Sequence, residues 1–387
     1  MNKVSKFENI FLYSLVLSLL IFGTYLSYIG GYGSDEDTLP MIYVFERRLS
    51  DGTFVTSRFS GNPVPEIGIG FLAYYFGSFS ANFVTFIFFF LSTLLISLSF
   101  KIKKIPIFLI LCMSSQVLYF DNLEPIDYSW ALFPFSIGIY LFSKKKYELA
   151  ILFFGIAVGS RINFILFIIP IILFYKDEHI SISNRLSYLF VVFIIGGLFY
   201  LPNWYDNSFG LEWLSSGRPI SQGFFGLLSR FIYKTSHAFG ILQLLLIMFI
   251  LFFSQKLLFN FFKDKLTFYL VILNLLLFLY IPAELSYLQP AIIFTYLFAV
   301  NFFSKKIIYV LIILNFLNWG INYNYLEIKY SKEDPCKVRE AVSADLKFKF
   351  EDGGIRNYLK SRDMIKCWAY NANEDKTTKI LKGAALK

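Results

Sequence analysis

Charge is scarce in this chain: Asp, Glu, Lys and Arg make up 16% of its 387 residues. A soluble protein of this length needs about a quarter of its residues charged to cover its surface, so water is not the main solvent here. Histidine occurs twice and cysteine three times, and no Cys-x-x-Cys or Cys/His metal spacing is present, which removes the usual zinc-site readings. There is no Walker loop, so ATP-driven transport is not expected. The absence of Gly-x-Ser-x-Gly and His-Glu-x-x-His removes the common hydrolase and zinc-protease readings. The two halves show no repeat, which weakens a secondary-transporter reading without excluding it.

What the chain has in abundance is apolar sequence: 56% hydrophobic residues, including 48 Phe. Apolar spans lie near 9–29, 81–100, 105–120, 130–143, 148–160, 162–175, 186–202, 239–254, 266–282, 287–303 and 307–321. The pattern predicts an all-α, polytopic transmembrane bundle of about 11 spans over 1–321, with a long first outer loop and a small soluble tail at 322–387. Several spans fall short of the roughly 20 residues of a perpendicular membrane helix, so the pairs around 130–175 are expected to be re-entrant or buried among neighbours. The first segment is long and lacks a small-residue cleavage site, so it reads as a span and not a cleaved leader.

The net charge of +9 follows the same map. Lys101, Lys103 and Lys104, Lys144 to Lys146, Lys176 with Arg185, Lys256, Lys263 and Lys265, and Lys305 with Lys306 occupy alternate gaps. With Lys3 and Lys6 they define a cytoplasmic side, leaving the tail outside and nucleic acid without a role. Phe, Ile, Lys and Asn usage suggests an AT-rich bacterial genome, and hence a bacterial inner membrane.

The outer segments hold the candidate chemistry. Asp35, Glu36 and Asp37 follow the first span; they suit a general base or a divalent cation (Mg or Mn), or simply a solvated acidic loop. Arg58, Arg161, Arg218, Arg230 and Lys234 depart from the positive-inside trend. Arg161 follows Gly159-Ser160 between apolar runs, where a cation needs an anion: a lipid-linked phosphate gripped bidentately, or a structural pair with Asp127 or Glu124. Glu284 and Tyr287 share a helical face in a short turn, placed to bond a sugar or phosphate, or to cap the next helix. His237 lies in the third outer loop without a second histidine to make a metal site. Cys112 reads as a buried hydrophobe. Cys336 and Cys367 share the tail in an oxidising compartment, where they form a disulfide or remain two thiols.

In order, Asp35-Glu36-Asp37, a helical run to Gly52, Ser57-Arg58-Phe59-Ser60-Gly61-Asn62-Pro63 with Glu66, Asp127 heading a span, Gly155 with Gly159-Ser160-Arg161-Ile162-Asn163, and Glu284-Leu285-Ser286-Tyr287-Leu288-Gln289-Pro290 resemble the GT-C superfamily of membrane glycosyltransferases over about residues 9–303. The resemblance implies an inverting transferase using a polyprenyl-phosphate-linked sugar and a glycan or glycolipid acceptor. Asp35 or Asp37 would be the base; Arg58, Arg161 and Arg218 would hold the donor phosphate. Glu66, His237, Glu284 and Tyr287 would line the cavity. The tail of some 65 residues is shorter than the soluble domain of many members. A Wzy- or EpsG-like polysaccharide polymerase is the nearest rival, on Glu66-Ile67-Gly68-Ile69-Gly70-Phe71; a lipid or solute transporter is the rival from another class.

Overall fold

The structure, a computed structural model, describes residues 3–32, 38–52, 57, 61–175, 180–206, 223–281, 285–320, 322–324, 327–330, 338–342 and 347–349. Its helices are α1 (Lys3–Ile29), α2 (Thr38–Asp51), α3 (Pro63–Ser99), α4 (Ile105–Ser114), α5 (Gln116–Phe120), α6 (Asp127–Ser143), α7 (Tyr147–Ser160), α8 (Ile165–Phe174), α9 (Ile182–Asp206), α10 (Gly223–Phe239), α11 (Ile241–Phe253), α12 (Gln255–Lys263), α13 (Lys265–Tyr280), α14 (Gln289–Phe302) and α15 (Lys305–Asn318). Short 3-10 turns at Ile162–Phe164 and Leu285–Leu288 precede α8 and α14. Among the described residues strand is confined to the tail, where Asn322–Asn324 pairs with Lys347–Lys349 and Glu327–Tyr330 with Val338–Val342, both antiparallel.

Each of the eleven apolar ranges is largely helical over its described residues, yet among the described residues four helices are long and apolar enough to cross a membrane, or up to six if each bent pair counts as one span. The difference from eleven has a physical source. α6, α7, α8, α13 and α15 are apolar but short, and a helix of 14 residues rises only about 21 Å. Their polar and small residues face neighbours: α7 presents Gly155 and Gly159, four apart, to α9. A Cβ on Gly159 would meet the Phe199 ring at 2.4 Å, and one on Gly155 would meet Ile195 at 2.3 Å. Small residues at this spacing let backbones approach, which is how helices associate where lipid is as apolar as leucine.

The first long loop is more helical than its polarity suggests. α2 buries Met41, Ile42 and Phe45, and Phe45 fills the space over Gly70 on α3. α3 begins 18 residues before the apolar run at 81–100, with Pro63 in its first turn, a position where the missing N–H costs nothing. It bends at Gly77, whose φ of 79° suits glycine; Ser80 Oγ donates to the carbonyls of Leu72 and Gly77, each at 3.0 Å, across the break. Phe71, Tyr75 and Phe76 before the bend are exposed, and of these Tyr75 carries the amphipathic ring favoured at a membrane interface. Tyr32, just past α1, is buried and donates to Ala73 O at 3.4 Å; burial pushes its hydroxyl up to about 12.

Two helices are broken sharply: α4 and α5 meet at 86° across Ser115, and α10 and α11 at 95° across Gly240. Backbone groups freed inside a bilayer must find partners, and α15 supplies them. Asn315 Nδ2 donates to Leu111 O and Ser114 Oγ, both at 3.1 Å, and Trp319 Nε1 donates to Ser114 O at 2.6 Å. At the opposite end of the bundle from the long loop, Glu8 of α1 pairs with Lys305 and accepts from the Tyr309 hydroxyl of α15. Arg185 there caps α8, donating to the carbonyls of Ile172, Leu173 and Tyr175, where a helix C-terminus favours a cation.

Candidate functional site

A chain of buried polar groups runs across the end of the bundle where α3 and α6 begin and α7 ends. It starts on α2, where Arg48 continues the stripe of Met41 and Phe45 (i, i+4, i+7) and so faces α3. Its Nη2 donates to Glu66 Oε2 at 2.9 Å. Glu66, fully buried in the first turn of α3, uses Oε1 for three further donors: the Ser57 backbone N–H at 3.0 Å, the Ser57 hydroxyl at 2.5 Å and the Asn62 backbone N–H at 3.1 Å. The carboxylate thus reaches back to the residue preceding α3, satisfying donors that a helix start leaves open, and its charge is favoured there by the helix dipole.

Asn62 precedes α3 yet makes no side-chain cap. Its amide is committed elsewhere, donating to Asp127 Oδ2. Asp127 opens α6, and its other oxygen, Oδ1, is ion-paired with Arg161 Nη1. Arg161 occupies the elbow between α7 and α8: its N–H bonds Ala157 O at 3.0 Å to end α7, and its extended backbone turns into the Ile162–Phe164 turn. Both members of the pair are almost fully buried, at 5% and 1% exposure. The guanidinium carbon lies 3.6 Å from the Tyr128 ring centroid and 4.7 Å from that of Tyr287, and the two rings stand 5.2 Å apart. Desolvated cation–ring contacts of this kind are worth up to about 2 kcal/mol each. Tyr200 of α9 donates to Val158 O at 3.0 Å.

Of the residues singled out from sequence, Glu66, Arg161 and Tyr287 come together. Arg161 touches Tyr287 directly and joins Glu66 through Asp127 and Asn62. His237 is on α10 with its ring 6.2 Å from that of Tyr233, and α10 packs against the Leu285–Leu288 turn. Asp35, Asp37, Arg58, Arg218, Glu284, Cys336 and Cys367 lie outside the described residues, as does any cation at Asp35/Asp37. Among the described residues no group of three His, Cys, Asp or Glu is placed to hold a metal ion. Cys112 is buried with a free thiol in α4, as expected.

Sequence reasoning passed over Arg48, Asn62 and Tyr128 as members of the site. Asn62 carried a signal: a good cap residue followed by prolines, whose side chain would be costly to bury idle. Arg48 carried another, as the charged end of an apolar i, i+4 stripe.

No family model matches this chain, and no curated protein or solved structure matches it significantly. Its function is therefore to be read from the geometry of the site.

Proposed function

We propose that this chain is a membrane glycosyltransferase, taking a sugar from a polyprenyl-phosphate carrier and passing it with inversion to a cell-envelope glycan or glycolipid at the extracytoplasmic face of a bacterial inner membrane. The observation that carries the reading is Arg161: a buried cation, paired with Asp127 and held between two tyrosine rings. A cation held in place before substrate arrives suits a leaving group on which negative charge grows. In this reading Asp35 or Asp37 takes the proton of the acceptor hydroxyl, whose oxygen attacks the anomeric carbon. The bond from that carbon to the phosphate oxygen breaks, and polyprenyl phosphate leaves against Arg161, with Arg58 and Arg218 beside it. Glu66, His237, Glu284 and Tyr287 line the cavity.

Purified protein in liposomes, given polyprenyl-phosphate sugars together with an extracted cell-envelope glycan or glycolipid acceptor, should release polyprenyl phosphate, and Asp35→Asn with Asp37→Asn should abolish it. Retention of product by the double variant sinks the reading. In a deletion strain, glycan missing one residue fits a transferase, whereas shortened chains fit the polymerase. A second reading, a lipid or solute carrier, rests on the two broken helices, since discontinuous helices often frame transport sites; for a carrier the double variant leaves transport intact.

A further inference from the structure

The amide of Gln289, the first residue of α14, is buried at 1% exposure, and both its nitrogen and its oxygen lack a hydrogen-bond partner. Burying such a group idle is unfavourable, and the backbone beside it is not left so. Asn274 of α13 serves the backbone on either side, donating to Tyr287 O at 2.8 Å and accepting from the Ala291 N–H at 3.0 Å. Gln289 comes two residues after Tyr287, whose ring lies 4.7 Å from the Arg161 guanidinium. Two more idle groups sit on elements packed against the same Leu285–Leu288 turn: Gln116 Oε1 on α5 and Thr235 Oγ1 on α10.

The chemistry of these groups narrows the ligand. A phosphate at neutral pH only accepts, and a prenyl chain does neither, so neither satisfies an amide that offers two donors and an acceptor side by side. A sugar hydroxyl both donates and accepts, and adjacent hydroxyls match both ends of an amide. Gln116 Oε1 requires a donor, which a hydroxyl supplies and a phosphate does not. We infer that Gln289, with Gln116 and Thr235, forms the subsite that reads the hydroxyls of the transferred sugar, beside the Arg161 phosphate site. This rests on the transferase reading and names the part of the donor that the site selects.

The test measures affinities of the protein in nanodiscs, by native mass spectrometry, for polyprenyl phosphate alone and for polyprenyl-phosphate glucose, galactose, mannose and N-acetylglucosamine. Wild type should bind one sugar lipid about tenfold to a hundredfold more tightly than the bare lipid. Gln289→Leu should reduce that preference to within about twofold while leaving bare-lipid affinity unchanged, and Gln116→Leu should do the same from a separate helix. Gln289→Leu should also melt no lower than wild type without ligand, because it removes an idle polar group; Gln289→Met serves if it fails to fold. A preference retained in both variants overturns the subsite. Equal wild-type binding of bare and sugar lipids overturns it too, but leaves the phosphate site standing. Binding of none of the lipids overturns the subsite and the transferase reading together.

Discussion

Replacing Asp127 by Asn tests whether the pair with Arg161 is truly sheltered. Both carboxylate oxygens are committed, Oδ1 to the guanidinium and Oδ2 to the Asn62 amide. An asparagine has one acceptor, so in either orientation its NH2 faces one of those two donors. One charge-assisted hydrogen bond is lost, about 1.5–3 kcal/mol, and Arg161 keeps a buried charge without its anion. Breaking such a pair from one side costs about 3–5 kcal/mol in total. The double variant Asp127→Leu with Arg161→Met removes both charges and should recover most of that loss. The assay is reversible unfolding in bicelles by SDS titration, with Asp127→Asn measured beside a cycle of wild type, Asp127→Leu, Arg161→Met and the double variant. A cost below about 1 kcal/mol for Asp127→Asn, or a double variant no better than the single, would mean that water reaches the guanidinium and that the clamp is not a buried pair.

Other outcomes are set by the packing. Gly159→Leu should lower stability by about 1–3 kcal/mol through overpacking on Phe199, whereas Gly197→Ala, mid-helix and where a Cβ meets nothing within 4 Å, should raise stability by about 0.5–1 kcal/mol in the same titration. Asn274→Ala strips two hydrogen bonds from the start of α14 and should cost on the order of 1–3 kcal/mol. Glu66→Gln puts an NH2 against donors and should cost on the order of 2–3 kcal/mol; no change in melting would contradict a buried carboxylate held by Arg48, Ser57 and Asn62. Tyr32 has its folded-state pKa raised from 10 to about 12, so below pH 10 both states are neutral and stability is unaffected. Above it the unfolded chain ionises first, and stability should fall by about 1.4 kcal/mol per pH unit towards pH 12; Tyr32→Phe should flatten that decline.

Much of the helical scaffold is legible from sequence, because apolar runs in lipid have few alternatives to helix. The boundaries are less so. The loop over 30–80 looks polar, yet much of it is helix, since Pro63 and the Phe45–Gly70 contact specify structure that hydropathy averages away. The span count also escaped, because a short apolar helix buried against glycines and a full crossing share one composition. Arg161, a cation between apolar runs, reads from sequence as a residue in need of an anion, and Asp127 and Glu124 are its two acidic candidates. The tyrosine clamp is not readable from sequence: Tyr128 and Tyr287 are far apart in the chain, and their rings meet only in the folded bundle.

The repair of the α4–α5 break has a consequence in time. Leu111 O and Ser114 O receive their donors from Asn315 and Trp319, 204 and 205 residues later. At a synthesis rate of roughly 5–20 residues per second, those carbonyls wait about 10–40 s for the helix that satisfies them. Until α15 emerges, the break faces water, lipid headgroups or an insertion partner and cannot settle into its final depth. α15 therefore acts as a seal on the bundle, and a nascent chain stopped before residue 315 should be held open at the α4–α5 break, however complete its earlier helices are.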